Sequence, residues 1–175
     1  MRRKFPQKIK KIVVKVGSSL IATYKMKPKI TQLNSLVEQI CDLQKQGIEV
    51  VLVSSGAVVL GMGELNLTKR SNELSFIQAT AALGQAVLMK TYNELFGQYD
   101  RKCGQVLLTW DDFRNRERYI NARNTFQAML DWKIVPVVNE NDTISTDEIK
   151  FGDNDKLSAL VACLVEADLL VILSD

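Results

Sequence analysis

Five short apolar runs punctuate this chain: IVVKV at 12–16, VVLV at 50–53, GQVLLTW at 104–110, KIVPVVNEND at 133–142 and DLLVILSD at 168–175. Their apolar cores are continuous and lack the alternation of a strand with one wet face. Such runs are typical of strands buried on both sides. They predict an α/β fold, a mainly parallel sheet with helices on both faces. The intervening stretches supply the helices. Leu33, Leu36, Val37, Ile40 and Leu43 recur at helical spacing within 31–46, and Gly47 follows as a stop. A long helix is predicted over 71–97 through Phe76, Ile77, Leu83, Val87, Leu88, Tyr92, Leu95 and Phe96. Another follows over 117–132 through Ile120, Phe126, Met129 and Leu130, and a last one over Asn154–Val165. Pro136 inside the fourth run predicts an irregularity there, and Thr143–Lys150 reads as a short hairpin.

The 175 residues suffice for one domain with a substantial core, and 46% hydrophobic with 25% charged residues is an ordinary globular balance. The net charge of +3 sits largely in MRRKFPQKIKK at the start. That arm reads as a solvated lead-in to the first strand rather than a contact for nucleic acid or anionic lipid. The apolar run after it is broken by Lys15 and lacks a cleavage pattern, and no run is long enough to span a bilayer. Cys41, Cys103 and Cys163 are odd in number and in no metal-ligand spacing, so they read as buried thiols of a cytoplasmic protein. The chain contains no histidine. Histidine-dependent triads, general bases and metal sites are thereby excluded, and chemistry falls to Lys, Arg, Asp, Glu, Ser, Thr and backbone groups.

In parallel sheets ligands bind beyond the carboxyl ends of the strands. Those ends read KVGSS, VSSGA, LLTWDD, VVNENDT and LSD, and all are predicted to face one crevice. Gly17-Ser18-Ser19 and Ser54-Ser55-Gly56 can each bring backbone N–H groups close to an anion, although each is also an ordinary strand-to-helix turn. Formal phosphate motifs fail. Gly56 to Gly61 has P-loop spacing, but Met62 stands where lysine is required. Lys15 lies within an apolar run, where an ammonium is costly unless paired. It is either a snorkelling edge-strand lysine or a lysine aimed at the crevice, with Asp155 as its candidate partner. The row Asp153-Asn154-Asp155 ahead of an apolar helix is denser in acids and amides than one helix cap requires, and NENDT at 139–143 is similar.

KIVVKVGSSLI, VLVSSGAV, QATAALGQAVLM, RERYINARNTFQAML, IVPVVNENDTIS, FGDNDKLSALVA and LLVILSD together resemble the glutamate 5-kinase group of the amino acid kinase family, in its order and spacing. The resemblance implies transfer of the γ-phosphoryl of ATP, with Mg²⁺, to the γ-carboxylate of L-glutamate. The product is glutamyl 5-phosphate, the first intermediate towards proline, and proline feeds back. Carried over by position, Lys15 stabilises the phosphoryl group, Gly17 and Gly56 are oxyanion-type donors, and Asp155 organises catalytic lysines. Ser55, Asp142 and Asn154 bind glutamate with Asn139 close by, and Ser174 and Asp175 begin the nucleotide site. Asp153 is left as a helix cap or as a group that supports the site residues from behind. A carboxylate acceptor is ionised at neutral pH, so the lack of histidine does no harm.

Relatives are expected to continue past LLSD with a glycine-rich ATP clasp and a second lysine, and many with a PUA domain. Residues 1–175 are therefore expected to be the acceptor-binding half of the kinase domain, with the nucleotide half largely absent and the fragment inactive. A cytoplasmic homo-oligomer without nucleic-acid or membrane partners is expected. Two other readings stay open: a non-catalytic module binding glutamate or proline, and an amino acid kinase with a different acceptor.

Overall fold

Strand β1, Lys11–Val16, is buried along both faces in the computed structural model of the chain, which describes residues 8–145 and 154–173. Ile12, Val14 and Val16 point to one side and Val13 to the other. Strand β2, Glu49–Ser54, divides in the same way, with Val50 and Leu52 opposed to Val51 and Val53. Strands β3, Cys103–Leu108, β4, Val135–Glu140, and β5, Leu169–Leu173, complete a five-stranded sheet in the order β3-β4-β2-β1-β5. Every pairing is parallel.

Helices α2, Ile30–Lys45, and α4, Leu74–Gly97, cover one face with Leu33, Val37, Ile40, Leu88, Tyr92 and Phe96. Helices α6, Arg116–Asp131, and α7, Asn154–Leu164, cover the other with Phe126, Leu130, Leu157, Val161 and Leu164. Each fully buried Leu or Phe contributes about 1.5–3 kcal/mol of transfer free energy. Because two apolar faces must be covered, all the long helices pack and none is left projecting. Among the described residues no helix is long and apolar enough to cross a membrane.

Three short helices stand where the sequence predicted none: α1, Ser18–Ile21, α3, Ala57–Glu64, and α5, Trp110–Arg114. The α3 segment, AVVLGMGE, is apolar nearly all round and so has no readable period. Its packing explains the composition. A Cβ on Gly61 would collide with the Thr80 carbonyl of α4, and one on Gly84 of α4 with the Ala57 carbonyl of α3. The two glycines let the helix backbones touch.

The irregularity at Pro136 is confined to pairing. Proline has no N–H to give, and β4 meets β2 only at Val137 and Val138, beyond it. The hairpin at Thr143–Lys150 and the basic arm at 1–7 fall wholly or largely outside the described residues. The cysteines correct an expectation. Cys41 is buried, but Cys103 is only partly buried and Cys163 is exposed, because it lies off the Leu157–Val161–Leu164 stripe of α7.

Candidate functional site

The strand ends make the site. Lys15 is the last residue but one of β1 and shares its face with Val13, the face on which α7 packs. Its ammonium meets Asp155 in the first turn of α7, with Nζ 2.6 Å from Oδ1. Only 7% of the lysine side chain is exposed, against 41% of the aspartate. Strand β1 is an interior strand, paired on both sides by β2 and β5. The snorkelling edge-strand reading of Lys15 is thereby set aside.

Asn154 precedes this pair and ties three elements together. Its Nδ2 donates to Ser54 O at 2.7 Å, Asn139 Oδ1 at 2.9 Å and Ser55 Oγ at 3.0 Å. Its amide hydrogens are thus committed to the protein. Ser55 accepts there and keeps its own hydroxyl hydrogen to donate. Asn139, buried at the end of β4, passes the polarity onward: its Nδ2 donates to Gln85 Oε1 at 3.0 Å, and Gln85 Nε2 to Gln105 Oε1 at 3.1 Å. Four amides thus run head to tail from α7 to β3. Ser54, beside Ser55, is held at 3.0 Å by the Tyr92 hydroxyl of α4. Burial pushes the Tyr92 phenol well above its ordinary range, with the Ser54 bond pulling the other way, so it stays protonated.

The two glycine turns differ. Gly56 adopts φ +92°, a left-handed conformation that suits glycine, and a Cβ there would lie 2.9 Å from Ile21 Cγ2. No hydrogen bond engages its N–H among the described residues. Gly17 has an ordinary φ of −72°, and its N–H donates to Leu173 O at 3.1 Å. The N–H expected as an oxyanion-type donor at Gly17 is thus engaged by the sheet in this structure. A Cβ at Gly17 would stand at ordinary contact distance, 3.9 Å, from Lys15 Nζ.

Lys15, Ser55, Gly56, Asn139, Asp142 and Asn154 all line one cleft of about 270 Å³. Ser18 of the first glycine–serine turn lines it as well, as do Arg70 and Glu140, which were not singled out from sequence. Glu140 lay inside the NEND cluster; its Oε1 accepts from the Ser145 hydroxyl at 2.9 Å. Arg70 sits between α3 and α4 in a stretch without periodicity, so no sequence pattern marks it. The third strand end does not join the cleft. β3 is an edge strand, and Asp112 at its end is spent locally: its Oδ2 accepts from Thr109 N at 2.7 Å and Thr109 Oγ1 at 2.8 Å, capping α5. Asp153, Ser174 and Asp175 lie outside the described residues. Among those described, no group of three or more His, Cys, Asp or Glu is placed to hold a metal ion.

The profile of the amino acid kinase family matches residues 10–175. The chain belongs to the amino acid kinase family. Among curated members of that family it is 48% identical to glutamate 5-kinase of Clostridium acetobutylicum over 174 residues, which is 99% of this chain and 65% of that protein. It is 50% identical to glutamate 5-kinase of Syntrophotalea carbinolica over 175 residues, which is all of this chain and 47% of that one. The chain thus spans about half to two thirds of the length of these relatives. UMP kinase from Ureaplasma parvum superposes with a TM-score of 0.62 at 12% identity, covering 96% of this chain and 70% of that one. At that identity the likeness concerns the fold alone, and it is an amino acid kinase fold.

Proposed function

We propose that residues 1–175 form the acceptor-binding part of a glutamate 5-kinase, which phosphorylates the γ-carboxylate of L-glutamate with ATP. The observation that carries the reading is the Lys15 ammonium, held by Asp155 at the base of a cleft whose walls can read an amino acid. The roughly half-identical glutamate 5-kinases support the choice of acceptor.

In this reading a γ-carboxylate oxygen of glutamate attacks the γ-phosphorus of ATP. The bond from that phosphorus to the bridging oxygen breaks, and ADP leaves with glutamyl 5-phosphate as the product. No proton has to move, because the acceptor carboxyl, with an ordinary pKa of about 4.3, is already ionised. The chemical burden is to bring two anions together. Lys15 compensates charge on the transferring phosphoryl group, and the Gly56 N–H and Ser55 hydroxyl point donors into the same space. Asp142 and Glu140 supply negative charge for the substrate ammonium. Asn154 and Asn139 set the wall, with the amide hydrogens of Asn154 spent on Ser54, Ser55 and Asn139 rather than on substrate. When bound with the nucleotide, Mg²⁺ would supply further charge neutralisation for the phosphates in this reading. Ser174 and Asp175 at the nucleotide side, proline as an inhibitor in the same pathway, a homo-oligomer and a cytoplasmic location belong to the same proposal.

Calorimetric titration with L-glutamate, L-aspartate and N-acetyl-L-glutamate tests the acceptor, and coupled ADP release with the same three, measured on a longer chain that carries the nucleotide-binding part, tests the reaction. Glutamate is expected to bind best. A clear preference for aspartate or acetylglutamate would replace the acceptor, and binding of none of the three would remove the reading.

A further inference from the structure

Four charged side chains named above line the cleft: Lys15, Arg70, Glu140 and Asp142. At neutral pH glutamate carries two carboxylates and one ammonium. The γ-carboxylate belongs beside Lys15, where the phosphoryl group arrives, and the ammonium belongs with the two acids. That leaves the α-carboxylate, attached to the same carbon as the ammonium, facing an acidic wall unless a second cation is present. Arg70 is that cation. No hydrogen bond or ion pair engages it among the described residues, so its guanidinium is not already committed. It also stands on the segment between α3 and α4, and α3 itself begins at Gly56 and Ala57 in the cleft wall.

We infer that Arg70 is the specificity-determining residue for the acceptor's α-carboxylate; the inference rests on the reading of this cleft as a glutamate site. A guanidinium suits the role better than an ammonium, because its parallel N–H groups match both oxygens of a carboxylate. Arg70 is solvent-exposed, so salt and water screen the contact. The effect of removing it is accordingly about tenfold rather than the hundredfold or more of a buried pair.

The test pairs variants with truncated ligands. Glutarate keeps both carboxylates and lacks the ammonium; 4-aminobutyrate keeps the γ-carboxylate and lacks the α-carboxylate. Equilibrium binding of glutamate, glutarate and 4-aminobutyrate is measured by calorimetry, directly or by displacement, on the wild-type protein, Arg70→Ala, Arg70→Gln and Arg70→Lys. The expected result is an affinity loss of about tenfold for both glutamate and glutarate in Arg70→Ala and Arg70→Gln. Affinity for 4-aminobutyrate stays unchanged, and Arg70→Lys lies between. Unchanged glutamate affinity overturns the inference while leaving the glutamate site standing. An equal loss for 4-aminobutyrate overturns it too, by showing that Arg70 acts on the loop or on overall charge. Wild-type protein that binds no glutamate removes the site reading and the inference with it. Thermal melts of each variant confirm that the fold is kept.

Discussion

Lys15 Nζ stands 2.6 Å from Asp155 Oδ1, so a lysine in the middle of the sheet is held by an acid in the first turn of a helix. The two partners differ in exposure, and the difference separates two kinds of damage. Asp155→Ala takes a partner from a buried ammonium and is expected to cost about 1–3 kcal/mol, less than a fully buried pair because the aspartate is half exposed. Lys15→Met keeps the aliphatic volume and is expected to leave stability within about 1 kcal/mol; in a longer chain that carries the nucleotide-binding part, phosphoryl transfer falls by about 10²–10³ with little change in glutamate KM. Urea unfolding and steady-state kinetics read the two. Near-normal turnover in Lys15→Met would remove the lysine from the chemistry.

The two cleft glycines are expected to fail differently. Gly17→Ala adds a methyl at ordinary contact distances, 3.6 Å from Leu173 O and 3.9 Å from Lys15 Nζ, with an unstrained φ. It should fold normally and lose activity, because the methyl occupies space beside the ammonium. Gly56→Ala forces a side chain into a left-handed conformation against Ile21, and should lose about 1–2 kcal/mol or more. Equal stability losses in the two variants would contradict the geometry.

Asn154→Asp is isosteric, yet it sets a carboxylate against Ser54 O, Ser55 Oγ and Asn139 Oδ1, where an amide donated. The carboxyl should titrate above its ordinary range in the folded variant. The sign follows: at low pH, where both states are protonated, the variant approaches wild type, and its stability falls as pH rises through the ordinary carboxylate range. Asn154→Ala should show no such slope. Urea midpoints at about pH 4 and about pH 7 distinguish them.

Burial pushes the Cys103 thiol from its ordinary 9.0 to about 11. Below the ordinary value both states keep the proton and stability is intact. Between there and the raised value the unfolded chain ionises and the folded one does not, so stability is lost as pH rises. Tyr92, raised by burial from 10.0, adds to the same alkaline loss. Cys103→Ala should flatten the lower part of that limb and Tyr92→Phe the upper part. In iodoacetamide labelling, exposed Cys163 should react first and buried Cys41 last.

Much of the frame was legible because burial on both faces leaves uninterrupted apolar runs. The predicted strand at 12–16 became Lys11–Val16, and the helix at 117–132 became Arg116–Asp131. The short helices were not legible, since α3 owes its residues to contact with the α4 backbone rather than to a period. Lys15 was marked by its cost inside an apolar run. Arg70 carried no such mark, because an exposed arginine in a loop is unremarkable until the fold brings it to a cleft. The third strand end misled because its acids looked free in sequence, whereas Asp112 closes a cap on Thr109.

The Asn154 amide closes on Ser54 and Ser55 across 100 and 99 positions of chain. During synthesis at about 5–20 residues per second, the serines are made on the order of 5–20 s before the asparagine that fixes them. For that interval the first two strand ends exist without the wall that shapes them, so amino-acid binding on the ribosome should begin late and abruptly. A metabolite present in the cell would then act only once α7 has docked, and would have little hold on shorter nascent chains.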